Sequence, residues 1–128
     1  MARKKDHKPL SPAALGLVAA RFKLLGEPAR LSLLNALMEE AKNVNELVES
    51  TGLSQANVSK HLAHLADAGY VHRRKDGLYT VYSIADDSVF QLCDLMCSSI
   101  AKKLSTQTDV FLMWRFSSKL SCITIQSQ

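Results

Sequence analysis

Long apolar runs are missing from this chain of 128 residues. No stretch of about 18 consecutive apolar residues occurs, which excludes an ordinary membrane-spanning helix. The opening MARKKDHKPL is basic, but no apolar segment of the kind a secretory leader needs follows it, so the expected location is cytoplasmic. Cysteine is scarce: Cys93, Cys97 and Cys122 are an odd set of three, unsuited to a disulfide framework and expected as reduced thiols. Also absent are G-x-S-x-G, a P-loop, C-x-x-C and any loop constellation of histidine with carboxylates. No enzyme class is therefore indicated, and a thiol oxidoreductase using Cys93 or Cys97 is the alternative that a turnover assay settles. No repeat or low-complexity tract is present. The charge surplus is small, 16 Lys+Arg against 12 Asp+Glu for a net +4, which suits a nucleic-acid partner without demanding one.

Hydrophobic content of 47% permits one domain with a packed core. Residues 1–10 read as a flexible basic arm in which Arg3, Lys4, Lys5 and Lys8 either touch phosphates or merely solubilise. Ser11-Pro12 is an N-cap followed by an N1 proline, so a helix over about 12–25 is expected, with Leu15, Val18, Phe22 and Leu25 as its stripe. Pro28 opens a second helix over about 28–39. Asn43 and Glu46 have capping-box spacing, giving a third over 44–51 that Gly52 closes. Ser54 then caps a fourth over 55–68, ended by Gly69.

This fourth helix carries the strongest signal. Val58, Leu62 and Leu65 recur at i, i+4, i+7 and form one apolar stripe. The opposite side presents Ala56, Asn57, Ser59, Lys60, Ala63 and His64, with His61 at the border. Small residues let a helix approach base edges, while Gln55, Asn57, Ser59 and Lys60 supply donors to bases and phosphates. Two short helices joined by a tight glycine-containing turn make a helix-turn-helix unit; the bland alternative is a helical hairpin with a polar face. Strand-like segments Tyr70–Lys75 and Leu78–Ile84 follow, with Asp76-Gly77 as the two-residue hairpin signal between them. Arg73, Arg74 and Lys75 beside that tip suit phosphate contacts or a minor groove, or else keep an edge strand soluble. The fold class is thus mainly α (α+β): a winged helix-turn-helix with a two-stranded hairpin wing.

Three segments, FKLLGEPARLSLLNAL (Phe22–Leu37), NELVESTGLSQANVSKHLAHLADAGYV (Asn45–Val71) and RRKDGLYTVYSI (Arg73–Ile84), occur in register. Across about residues 13–104 the chain resembles the ArsR/SmtB family of bacterial metal- and stress-responsive repressors. The resemblance implies a winged-helix homodimer that binds double-stranded operator DNA, needs no cofactor to do so, and releases it when an inducer binds. The family's DNA contacts fall on Ser54, Gln55, Ser59 and His61, and on the Arg73–Lys75 region.

Asp86 or Asp87 caps a last helix over about 87–104, with Val89, Leu92, Cys93, Met96 and Ile100 as its stripe. In the resembled family the first and last helices pack across the dimer two-fold, which matches palindromic half-sites roughly 34–36 Å apart. The alternative is packing within one subunit. Residues 105–128, including the apolar VFLMWRF (Val110–Phe116), depart from the family pattern and read either as an extension with a short helix and an extended end that enlarges the dimer interface, or as a tail whose apolar surface needs a partner to cover it.

Cys93 and Cys97 stand at i, i+4 on the last helix, and Cys122 lies in the extension. If the extension folds back, three thiolates converge on a soft ion, a set suited to trivalent arsenic or antimony. Thiol oxidation or persulfide chemistry is a second reading, and plain packing of small apolar cysteines is a third. Two sensor sites of the resembled family do not transfer: the last helix holds Asp94 but no histidine, and NVNELVEST holds no cysteine. His61 and His64, at i, i+3, lack an obvious third metal ligand. The expected function is a metal, metalloid or stress-response repressor. An architectural DNA-binding protein without inducer is the remaining alternative.

Overall fold

The computed structural model describes residues 8–104, which form five helices and a three-stranded antiparallel sheet. They divide into two compact units, one ending at Ala85 and the other beginning at Asp86. Most of the basic arm and all of the 105–128 extension, with Cys122, lie outside the described residues.

In the first unit the helix starts obey local capping chemistry. The Ser11 hydroxyl accepts from the Ala14 amide at 3.2 Å, and α1 (Pro12–Leu25) begins there. α2 (Pro28–Leu37) also opens on proline, with Glu27 as an N-cap that makes no side-chain cap bond. It ends two residues before the expected 39, where the Met38 amide donates to the Asn35 carbonyl at 3.2 Å and the last turn tightens. α3 (Val44–Thr51) carries the reciprocal box: the Glu46 amide donates to Asn43 Oδ1 at 2.9 Å, and the Asn43 amide donates to Glu46 Oε1 at 2.8 Å. Gly52 closes it at φ +77°, and α4 (Gln55–Asp67) follows, capped by Ser54 and one residue shorter than expected.

The core of this unit is built from Leu33, Leu34 and Leu37 of α2, Leu47 of α3, and Val58, Leu62 and Leu65 of α4, all buried. Leu25, Tyr70, Val71 and Tyr82 close its margins. Burying one face of each of the three helices fixes α4 against α3, which positions the surface of α4 that remains outside.

The sheet has order β1-β3-β2. β2 (Val71–Asp76) and β3 (Tyr79–Ile84) form the wing, with Val71 opposite Ile84 and Arg74 opposite Val81. β1 (Lys42–Asn43) is an addition to the expected two strands and pairs with Tyr82 and Val81 of β3. Two residues carry no periodicity, and this strand exists because β3 offers it an edge.

The hairpin turn differs from expectation by one residue. Asp76 pairs with Tyr79, so the loop is Gly77-Leu78 and not Asp76-Gly77. Gly77 has φ +64° and Leu78 is not in the left-handed region, the pattern of a II′ turn. An Asp-Gly I′ turn needs positive φ at both positions, which strains Asp; here glycine alone takes the one left-handed position. Leu78 thereby leaves the strand and becomes the apex.

Of the expected α1 stripe only Leu25 is buried; Leu15, Val18 and Phe22 are exposed, Phe22 by 55%. The second unit is α5 (Ser88–Lys103), one residue inside the expected range at each end. Asp87 is its N-cap by position, while the side-chain bond comes from Asp86 Oδ1, which accepts from the Ser88 amide at 2.9 Å. Lys102 and Lys103 lie in the last turn, where cations complement the helix dipole. Leu92, Leu95, Met96 and Ile100 are exposed along it. Among the described residues no helix is long and apolar enough to cross a membrane.

Candidate nucleic-acid interface

α4 is divided lengthwise. Val58, Leu62 and Leu65 have no accessible surface, while Ser54, Gln55, Ala56, Asn57, Ser59, Lys60, Ala63 and His64 are exposed. The exposed set is narrow and polar, with two alanines keeping it low. Ser54 Oγ accepts from the Asn57 amide at 3.1 Å, so this hydroxyl holds the helix start and offers only its proton outward. Gln55, Asn57, Ser59 and Lys60 keep their side chains toward solvent from the first two turns, the part of such a helix that meets base edges.

His61 is the exception among the predicted contacts. It is 8% exposed and faces inward, so the expectation that it meets DNA is corrected. The spacing Val58, His61, Leu62, Leu65 is itself the apolar-face pattern, and this was the available signal. Arg30 of α2 donates from Nε to His61 Nδ1 at 3.2 Å and from its guanidinium to the Leu24 carbonyl at 2.9 Å. Burial lowers the His61 pKa below its ordinary 6.5, and the charges of Arg30 and Lys60 push the same way. Arg30 thus joins the end of α1, the start of α2 and the inner face of α4 through one neutral imidazole.

A second arginine missed by sequence reasoning holds the other end of α4. Arg21 of α1 donates to the Ala68 carbonyl, and its guanidinium lies 5.3 Å from the Tyr70 ring centroid. Between these partners Gly69 sits at φ +86°, with its amide bonded to the Ala66 carbonyl at 3.0 Å and the Tyr70 amide to the Leu65 carbonyl at 2.9 Å. This Schellman closure directs the chain from α4 into the wing. A Cβ at Gly69 meets nothing within 4 Å, so Gly69→Ala adds backbone strain without a clash. The expected cost is about 1–2 kcal/mol, read as a lowered urea midpoint at unchanged m-value; a midpoint equal to wild type contradicts the left-handed closure.

On the wing, Arg73, Arg74 and Lys75 are all exposed. The thiols belong to the second unit: Cys93 and Cys97 are half-buried on α5, one turn apart. Asp94 Oδ1, beside Cys93 in sequence, is buried and has no hydrogen-bond partner among the described residues. Among those residues no group of three or more His, Cys, Asp or Glu side chains is gathered closely enough to hold a metal. The third expected ligand, Cys122, falls outside them.

Comparison with known proteins places this arrangement. The family model described as "Bacterial regulatory protein, arsR family" matches residues 27–73, from the start of α2 through α4 into the wing. The HTH-type transcriptional regulator Rv0081 of Mycobacterium tuberculosis is 38% identical over 95 residues, 73% of this chain and 83% of that protein. The chain belongs to the ArsR/SmtB family. Its relatives are transcriptional regulators and not enzymes, so this member is a winged-helix, DNA-binding regulator. The crystal structure of Rv0081 superposes with a TM-score of 0.67 at 35% identity, covering 77% of this chain and 99% of that one. The AntR antimony-specific transcriptional repressor superposes equally, TM-score 0.67 at 29% identity, over 78% of this chain and 91% of that one. A probable mercury resistance operon repressor of Streptomyces lividans is 42% identical over 71 residues, 56% of this chain and 57% of that protein.

Proposed function

We propose that this ArsR-family member is a homodimeric repressor whose exposed α4 ridge enters successive major grooves of a palindromic operator. The observation that carries this is the lengthwise division of α4, with an apolar side sealed in the core and a low polar side left uncovered. Arg73, Arg74 and Lys75 hold the flanking backbone, and Gln55, Asn57 and Ser59 read bases. The uncovered stripes of α1 (Leu15, Val18, Phe22) and of α5 (Leu92, Met96, Ile100) support pairing of two copies, because apolar rows of this extent need a cover.

The inducer we propose is a soft metal or metalloid ion, trivalent arsenic or antimony first, held by Cys93 and Cys97 with Cys122 as third thiolate. Soft thiolates select such ions, and the chain is similar to a probable mercury resistance operon repressor in sequence and to an antimony-specific repressor in structure. An ion at these thiols that favours the DNA-free state lowers operator affinity by linkage.

Titrating an operator duplex at several salt concentrations tests the DNA reading. Arg73→Ala weakens binding to all sequences alike and lowers the salt slope by about 1. A change in base preference at one position with the slope intact contradicts the phosphate role.

A further inference from the structure

We propose that Leu78, at the apex of the wing, is an apolar wedge that seats between base pairs in the operator's minor groove. The proposal rests on the operator-binding reading above and goes beyond it, because charge alone accounts for the other wing residues.

Leu78 is 96% exposed, the highest value among the large hydrophobic side chains exposed on the described residues. Its position follows from the turn register. The last paired rung of the hairpin is Asp76 with Tyr79, and beyond it stand only Gly77 and Leu78. Gly77 contributes no side chain, so the apex carries a single one, and it is apolar. Paired strands stand about 4.8 Å apart from axis to axis, so with their atomic radii the hairpin body is wider than a minor groove of about 6 Å, and the single apical side chain is what is slim enough to reach inside.

The surroundings choose the occupant. Arg73, Arg74 and Lys75, all exposed, lie on β2 behind the Asp76–Tyr79 rung, so the body of the wing favours a polyanion. Asp76 opposes them one rung back, where its carboxylate repels phosphates. It limits entry to Gly77 and Leu78 and sets the depth of the wedge. A leucine so presented gains nothing from a phosphate surface and gains from the dry space of a partly opened base step. Leucine is among the side chains that wedge minor-groove steps, and pyrimidine–purine steps open most easily. Tyr79, 54% exposed at the root of the apex, adds a flat apolar surface against the groove wall.

The test uses the full chain and an operator duplex located by footprinting upstream of its own coding region. A fluorescent adenine analogue is placed at the base step under the wing. Wild-type protein brightens the analogue on binding. Leu78→Ala weakens binding about tenfold, leaves the salt slope unchanged and loses the brightening, while Leu78→Met restores both. Leu78 packs against nothing that these variants would disturb, so unfolding midpoints stay level. Binding by Leu78→Ala at wild-type strength, or a loss appearing as a smaller salt slope, overturns the wedge. Arg73→Ala separates the two readings: a normal loss of slope there with a silent Leu78→Ala defeats the wedge alone, while no effect of either variant defeats the wing's role in DNA binding as well.

Discussion

Cys93→Ser combined with Cys97→Ser leaves operator affinity unchanged and abolishes release by arsenite. The two halves of this expectation have separate causes. The surfaces proposed to bind DNA, on α4 and the wing, belong to the unit ending at Ala85, while both cysteines lie in the unit that begins at Asp86. Serine is close to cysteine in size, so the half-buried positions on α5 suffer little repacking. The hydroxyl, however, neither ionises near neutral pH nor binds soft ions, so two of three proposed ligands are lost at once. Allosteric couplings of about 1–3 kcal/mol correspond to roughly 5–150-fold changes in affinity, and that full range is what the double variant forfeits. A gel-shift titration with arsenite, antimonite, zinc, cadmium and peroxide in turn reads the effect. Undiminished arsenite release by the double variant contradicts the thiol site. Release by peroxide but not by arsenite in the wild type moves the cysteines from ion capture to oxidation chemistry.

Arg30→Ala has the second-largest expected effect, and it appears in stability before function. The guanidinium serves two acceptors, His61 Nδ1 and the Leu24 carbonyl, both in a part-buried setting. Leaving a buried acceptor without its donor costs about 1–3 kcal/mol. The bond to Nδ1 requires a neutral imidazole with its proton on Nε2. Burial first, then the charge of Arg30, then that of Lys60, hold the His61 pKa below 6.5, with Glu27 pulling weakly upward and His64 adding to the depression. The folded-state pKa therefore lies under the unfolded one. As pH falls below 6.5 the unfolded chain takes up this proton first, so stability declines, and the decline levels off only below the folded-state pKa. In Arg30→Ala one cause of the depression is gone, so the loss between about pH 7 and about pH 5 is smaller than in wild type. Urea unfolding at both pH values checks this. An equal or larger loss in the variant contradicts the assigned Arg30–His61 contact.

Much of this was legible in the sequence where the determining physics is local. Ser11, Asn43 and Ser54 bond amides three residues away, so each helix start could be read within one turn of chain. The buried edge of α4 followed from periodicity, and the three wing cations from composition. Features set at a distance stayed hidden. Arg30 reaches His61 across 31 positions and Arg21 reaches Ala68 across 47, and neither spacing leaves a pattern. β1 is two residues that become a strand only when β3 is beside them. The hairpin apex moved by one residue because the turn could use a single left-handed glycine, a choice that the dipeptide Asp76-Gly77 conceals. The stripes of α1 and α5 were visible as stripes, but periodicity alone did not separate Leu25, which is buried, from Leu15, Val18 and Phe22, which stand exposed.

The central claim is that the open side of α4 reads base edges. Its most direct test compares wild type and Gln55→Ala against a panel of operator duplexes, each with one base pair replaced. Wild type loses about 1–3 kcal/mol at each contacted pair, symmetrically in the two half-sites, and Gln55→Ala becomes indifferent at one symmetric pair of positions while keeping the rest of the profile. A Gln55→Ala profile identical to wild type at every position would contradict the account.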